Sequence, residues 1–150
     1  MTEGRQSALP GELLRAMDSL RDEQVARRAA VASARLAISR TELLDARATH
    51  ALEEHDGTAA PEATLAAMSA LSQELDIRAW DLQESVDAGL AEPAAYELAF
   101  AQARASTALQ YALGPDAVTD AAEAIYEAHH AIQDATALAA VIRGAAGDDG

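Results

Sequence analysis

The sequence contains neither cysteine nor lysine. Without cysteine the chain can form no disulfide, no thiolate metal site and no cysteine nucleophile, a composition that fits a reducing compartment. Its first thirty residues contain no basic segment followed by an apolar run, so we predict no export signal. Charged residues interrupt the apolar stretches before they reach the length that spans a bilayer. We therefore expect a cytoplasmic protein that does not enter the membrane.

Positive charge is also scarce. The 150 residues include 25 aspartates and glutamates against 11 arginines, for a net charge of -14. Nucleic-acid binding depends on clustered basic residues, so we do not expect a nucleic-acid partner. Residues 1–55 carry eight of the arginines and nine of the acids. We expect this more basic part to complement the acidic remainder, either within the chain or across a dimer.

Aromatic residues and strand signals are few. The chain has one Trp, three Tyr and one Phe, whereas alanine, the best helix former, dominates its apolar residues. Runs of β-branched residues and tight hairpin turns between such runs are missing. This composition predicts an all-α protein with closely packed helices.

Prolines and glycines divide the chain into four segments of helix-forming residues. A proline is tolerated in the first turn of a helix, and a glycine often ends one. The prolines that precede the segments are Pro10, Pro61, Pro93 and Pro115, and the glycines that follow them are Gly57, Gly89, Gly114 and Gly144. We predict a single domain with helices over residues 10–55, 61–88, 93–113 and 115–143, and a disordered tail over 145–150. Short connections favour an antiparallel up-down-up-down four-helix bundle.

The first predicted helix is overlong for such a bundle. If its N-terminal part extends beyond the other helices, it leaves Leu13, Met17 and Leu20 on an exposed apolar ridge, and monomers rarely leave such a ridge bare. We therefore expect a homodimer, or another protein partner, through this part of the first helix. The competing interpretation is a break near residues 21–28 that folds the ridge back on its own bundle and yields a monomer.

Five other residues are candidates for a pocket or an interface. Trp80 flanks the apolar stripe of the second predicted helix, so it either covers the edge of the bundle or anchors a partner. His129 lies within the apolar stripe of the fourth, where a histidine is more often hydrogen-bonded to a neighbouring helix than catalytic. We expect Tyr96, Tyr111 and Tyr126 to seal the ends of the bundle.

Glu127 and His130 have the Glu-x-x-His spacing with which ferritin-like bundles bind iron. Such a site needs a second copy of the motif and two further glutamates, and no second copy exists. Both residues also belong to the polar stripe of the fourth predicted helix, so we expect them to face solvent and predict no metal site. The sequence contains no catalytic motif and no phosphate-binding loop, so we predict no enzymatic activity, no catalytic residue and no cofactor.

Residues 77–109, IRAWDLQESVDAGLAEPAAYELAFAQARASTAL, resemble the junction between the second and third helices in the C-terminal four-helix domain of acyl-CoA dehydrogenases. In that family a helix typically ends in a turn like Asp87-Ala88-Gly89 before an alanine-rich helix begins. The resemblance implies a bundle of that type without its flavin-binding partner domains. The family's catalytic carboxylate has no match in this sequence, so no site residue follows from the resemblance.

These observations lead to two functional hypotheses. The first is a non-enzymatic helical interaction or assembly protein that self-associates. The alternative is a ligand-binding or accessory bundle, degenerate from an acyl-CoA-handling enzyme, with a pocket near His129, Trp80 or the tyrosines. An apolar pocket between helices with His129 in its wall would favour this alternative.

Overall fold

A computed structural model describes residues 9–55 and 57–147. In these ranges the chain forms seven α-helices and no strand, which confirms the predicted all-α class. The helices are α1 (Gly11–Met17), α2 (Glu23–Arg40), α3 (Ala46–Glu54), α4 (Glu62–Asp87), α5 (Pro93–Ala112), α6 (Ala117–Ile132) and α7 (Ala135–Ala145). Among the described residues no helix combines the length and the hydropathy needed to cross a bilayer.

The prolines stand at helix starts, as the sequence pattern predicts. Pro10 and Pro61 immediately precede α1 and α4, and Pro93 is the first residue of α5. Pro115 lies two residues before α6. Proline suits these positions because its fixed φ matches the first turn, where a backbone N–H has no helical partner.

The single helix expected over residues 10–55 is wrong, because this segment forms α1, α2 and α3. Neither break contains a proline or a glycine. Aspartates form the new helix starts: Asp22 accepts a hydrogen bond from the Val25 N–H at 3.0 Å, and Asp45 accepts one from the Arg47 N–H at 2.8 Å. A carboxylate at this position replaces the helical partner that the first N–H groups lack, so it favours the start of a helix.

The helix expected over residues 115–143 is divided in the same way, into α6 and α7. Gln133 adopts a left-handed conformation with φ of 49°, and Asp134 then caps α7 by accepting a hydrogen bond from the Ala137 N–H at 3.0 Å. The last helix continues to Ala145, two residues beyond its expected end. Of the tail expected over 145–150, residues 148–150 lie outside the described part of the chain.

The neighbouring helices α4 and α5 run in opposite directions. In the α4–α5 pair, Ser72 Oγ lies 2.9 Å from Ser106 Oγ, and Arg104 donates to Asp76 at 2.8 Å. Residue numbers therefore rise along one helix as they fall along the other. The predicted up-down-up-down four-helix bundle is not confirmed, because the described chain forms seven helices and its three central helices, which all pack against one another, cannot all be antiparallel.

Alanine is the most frequent buried residue of the central helices. α2, α5 and α6 pack against one another, α4 packs on α5, and α7 packs on α2 and α1. More than half of the buried hydrophobic residues are alanines. Such small side chains let helix backbones approach closely, but each one buries little apolar surface. The large hydrophobic side chains that are fully buried are Leu13, Met68, Leu71, Leu109, Leu113, Ile125, Leu138 and Ile142.

The exposed ridge expected near the N-terminus is also wrong. Leu13 and Leu20 are buried, and the partly buried Met17 packs against the core. The break at residues 18–22 folds α1 back onto α7, where Thr136 donates a hydrogen bond to Glu12 at 3.0 Å. The ridge was the reason for expecting a homodimer through this segment, and that reason no longer holds.

The burial of α4 leads to a stability prediction. Leu71 is almost completely buried, whereas Leu82, on the same helix, is only partly buried. Leu71→Ala should lower the free energy of unfolding by about 2 to 5 kcal/mol, because it leaves a cavity in the core. Leu82→Ala should cost about 1 kcal/mol or less. Urea denaturation of both variants checks this, and equal losses would contradict the position given to the core.

Candidate interaction surface

The α4–α5 hairpin extends beyond the hydrophobic core. The main cluster of buried residues includes Leu75 on α4 and resumes at Ala103 on α5, and it contains no residue between them. In that interval only two residues are buried, Ala79 and Ala99. We call residues 76–100 the distal hairpin. Small buried side chains hold its two helices together, and near its base Leu98 and Phe100 line further grooves with the C-terminal ends of α2 and α6.

A tight turn joins the two helices at the end of the distal hairpin. Gly89 has a φ of 75°, which favours glycine, and its N–H donates to the Val86 carbonyl at 3.0 Å. The next N–H, of Leu90, donates to the Ser85 carbonyl at 2.7 Å, a pattern that commonly ends helices. The apolar residue of this motif usually packs back on the helix, but Leu90 is 83% exposed. The turn thus presents a leucine to solvent.

Exposed hydrophobic side chains are concentrated on the distal hairpin. In the described part of the chain seven large hydrophobic residues are exposed, and five of them belong to it: Ile77, Trp80, Leu90, Leu98 and Phe100. Isolated apolar side chains on a surface are ordinary, whereas a group on one projecting element is typical of an interaction site.

Two grooves run along the sides of this hairpin. The first, of about 480 Å³, is aliphatic and includes Ile77, Leu82 and Leu98 among its lining residues. The second, of about 540 Å³, contains most of the aromatic residues of the chain: Trp80, Tyr96 and Phe100 line it, together with Asp76 and Gln83. The rings of Tyr96 and Phe100 lie 6.1 Å apart, within the range of aromatic contacts. We call it the aromatic groove.

A partly buried arginine lies beside the aromatic groove. Arg104 donates hydrogen bonds of 2.8 Å to both Asp76 and Glu127, and its guanidinium carbon is 5.7 Å from the centre of the Phe100 ring. Burial by itself lowers the pKa of Arg104, but the charges and hydrogen bonds of the two carboxylates outweigh it and hold that pKa above its ordinary value. Arg104 therefore stays charged and links α4, α5 and α6.

The position of Glu127 corrects the expectation that its helix face is solvated. Glu127 is only 4% exposed and lies against α5, because Arg104 supplies the compensating charge that its burial requires. His130 is partly buried, and its Nδ1 donates to the Tyr126 carbonyl at 2.9 Å. The side chains of Glu127 and His130 therefore already form hydrogen bonds to other groups of the protein.

The distal hairpin is strongly acidic. It carries six carboxylates and a single arginine, Arg78, and all six carboxylates are exposed. The carboxylates belong to Asp76, Asp81, Glu84, Asp87, Glu92 and Glu97. Arg104 neutralises only Asp76 among them. The exposed apolar side chains thus lie within a negatively charged surface.

An ion-pair network anchors the base of this hairpin to α3. Arg47 donates two hydrogen bonds of 2.8 Å to the two carboxylate oxygens of Glu74, and it also binds Asp45. Hydrogen bonds from Arg47 lower the pKa of both Asp45 and Glu74. This two-point contact links α4 to α3 where α4 leaves the core.

The structure brings only some of the sequence-predicted site residues together. Trp80 and Tyr96 share the aromatic groove, and Trp80 is 73% exposed, so it does not cover the edge of the bundle. Tyr126 stacks on His130, with ring centres 4.3 Å apart. Tyr111 lies near the opposite end of α5, beside Gly114 and Pro115. Leu13, Met17 and Leu20 belong to the α1 region, away from the distal hairpin.

His129 also departs from its expected role. It is partly buried, and no described residue forms a hydrogen bond to its buried Nδ1, so the expected bond from a neighbouring helix is absent at that atom. It lines neither groove of the distal hairpin. Burial, and then the nearby His130, lowers its pKa below the ordinary value.

Comparison with protein-family models, with curated proteins and with solved structures found no match to this chain. The resemblance of residues 77–109 to acyl-CoA dehydrogenases therefore stays a prediction. These residues form most of the distal hairpin and of α5, and α4 ends at Asp87, the first residue of the Asp87-Ala88-Gly89 turn.

The lowered pKa of His129 leads to a prediction about stability and pH. Because the pKa of the His129 imidazole is higher in the unfolded chain than in the folded protein, the unfolded chain binds the imidazole proton more tightly. The contribution of neutral His129 to the free energy of unfolding is therefore complete above its ordinary pKa of 6.5. That contribution is lost as the pH falls through 6.5 towards the lower pKa of the folded state. Chemical denaturation should show that His129→Gln reduces the fall in unfolding free energy between about pH 7 and pH 5.

A His129→Gln variant whose unfolding free energy falls as steeply between about pH 7 and pH 5 as that of the wild type would contradict the effect of burial.

Proposed function

We propose that this protein is a non-enzymatic helical interaction protein that binds a protein partner through the distal hairpin. The observation that carries the proposal is the grouping of exposed Ile77, Trp80, Leu90, Leu98 and Phe100 on an element that extends beyond the core. Elsewhere in the described chain, large apolar residues are mostly buried among the alanine-rich helices. A surface of this kind becomes favourable when another apolar surface covers it.

Trp80 is the best candidate for an anchor on this surface. Tryptophan is enriched among residues that dominate binding energy, because one side chain buries a large area with few rotatable bonds. At 73% exposure Trp80 has most of its surface still available. Ile77, one turn earlier on α4, belongs to the aliphatic groove, so a partner that grips both sides of the hairpin would contact both residues.

The ligand-binding alternative has less support from these observations. The ligand-binding hypothesis would be favoured by an apolar pocket between helices with His129 in its wall. The aromatic groove instead lies along the outside of a helix pair, and His129 is not part of it. Self-association through α1 has also lost its basis. A second copy of the chain that binds at the distal hairpin is an outcome that the following experiment can identify.

Site-specific photo-crosslinking in the native cell tests the proposal. A photoreactive residue at position 90 should give an adduct of defined mass with one protein, because Leu90 lies at the end of the distal hairpin. Position 44 is a matched control, since Leu44 is 90% exposed but lies between α2 and α3. An adduct of twice the chain's mass would identify a second copy as the occupant.

A substitution within the surface makes the result specific. Ile77→Asp with Leu98→Asp should abolish the adduct from position 90 and change the free energy of unfolding by only about 0.5 kcal/mol, as is usual for exposed sites. Leu44→Asp should leave the adduct intact. Adducts of equal yield from positions 44 and 90, or an adduct that survives the double substitution, would contradict the proposal.

A further inference from the structure

The aromatic groove has a composition that points to a definite kind of occupant. The chain has only five aromatic residues, and three of them, including its single Trp and its single Phe, line this groove. Aromatic ring faces carry negative electrostatic potential and attract cations, with Trp the most effective. The same three rings would also accept a purely apolar group, so the surrounding charge has to decide between the two.

The surrounding charge favours a cation. Six exposed carboxylates belong to the distal hairpin, and Arg78 is its one positive side chain. An acidic surface of this kind attracts a basic partner and repels an acidic one. It also disfavours a second copy, because two distal hairpins placed together would bring twelve carboxylates into one interface.

One arginine of the protein itself, Arg104, already contacts the residues that line the aromatic groove. The guanidinium carbon of Arg104 lies 5.7 Å from the centre of the Phe100 ring, and Arg104 also pairs with Asp76. Phe100 and Asp76 both line the aromatic groove. A guanidinium is planar and less strongly hydrated than an ammonium group, so it can stack on an aromatic ring while it donates hydrogen bonds from its edge. The walls of the groove thus already support both contacts that an arginine side chain makes. Because Asp76 is paired with Arg104, an arginine of a partner relies on the aromatic faces of the groove.

We propose that the aromatic groove binds an arginine side chain presented by a basic amphipathic helix of the partner, an inference that rests on the proposed function. The apolar face of that helix covers the exposed leucine and isoleucine side chains of the distal hairpin. Its arginine enters between Trp80, Tyr96 and Phe100, and its other basic residues face the carboxylates around the groove. The groove thus selects the partner by charge as well as by apolar contact.

Trp80 makes this inference directly measurable, because it is the only tryptophan of the chain and lies in the groove. Two short synthetic amphipathic helical peptides of leucine, alanine and arginine serve as probes. They have the same net charge and differ in one exchange: the first has a central arginine and a terminal citrulline, and the second has the reverse. Citrulline is a neutral isostere of arginine, so the pair separates a local cation site from general attraction to an acidic surface.

The central-arginine peptide should shift the fluorescence of Trp80 and bind the full chain about tenfold more tightly than the central-citrulline peptide, a ratio in the range of a partly desolvated cation–aromatic contact. Phe100→Leu keeps apolar volume and removes a ring, so it should bring the ratio of the two affinities close to one. Leu98→Ala, in the aliphatic groove, is the matched control and should leave the ratio unchanged.

Several results would overturn the inference. These are equal affinities of the two peptides, no change in Trp80 fluorescence with either, or a ratio that Phe100→Leu leaves intact. Fluorescence that changes with protein concentration alone would place a second copy in the groove and would also overturn it. None of these results decides the proposed function, which depends separately on the adduct formed from position 90.

Discussion

The close packing of alanine faces is the constraint on which the rest of this structure depends. α2, α5 and α6 meet through small side chains, so their backbones lie near one another and leave little room for large residues between them. Close contact of this kind maximises dispersion attraction, but each alanine contributes little hydrophobic stabilisation. The large side chains that are fully buried, such as Leu109 and Ile125, therefore carry much of the hydrophobic stabilisation of the core.

The same constraint separates the distal hairpin from the core. Beyond Leu75 and Ala103 the buried contact between α4 and α5 is reduced to Ala79 and Ala99, and the large apolar residues turn outwards. Polar contacts hold the helices in place at this boundary. Arg104 connects α4, α5 and α6, and the hydroxyls of Ser72 and Ser106 meet in the buried interface just below it. The hairpin can thus remain folded while it exposes an apolar surface.

The sequence predicted the helical class and the positions of the helices that begin near prolines, because proline acts locally through its own backbone geometry. It left open a break near residues 21–28, close to the one that the structure has at 18–22, but it did not predict the breaks at 41–45 and 133–134. At all three breaks an aspartate cap begins the new helix without any nearby proline or glycine. Capping depends on how the chain turns in space, and aspartate is equally common on solvated helix faces. The exposed ridge depended on a continuous first helix, whereas the competing interpretation, a break that folds the ridge back on its own bundle, agrees with the buried Leu13 and Leu20.

The candidate surface was predicted only in part. Trp80 was recognised as a possible anchor because it lies beside the apolar stripe of its helix, and the structure favours that interpretation over a cover for the bundle edge. Leu90, Leu98 and Phe100 were missed, although the single phenylalanine four residues after Tyr96 gave a local signal of an aromatic helix face. The burial of Glu127 was missed as well, since it requires Arg104 from another helix, and a pattern within one helix cannot reveal that partner.

Amide hydrogen exchange on the full chain, resolved to single residues and followed with low concentrations of denaturant, tests the separation between core and distal hairpin most directly. Amides of residues 80–87 and 94–98 should exchange through local opening, with a smaller free energy than those of residues 103–112 and 121–128, which should exchange only through global unfolding. If both groups exchange with the same free energy and the same dependence on denaturant, the hairpin is part of the core. In that case its exposed side chains do not belong to a separate docking element.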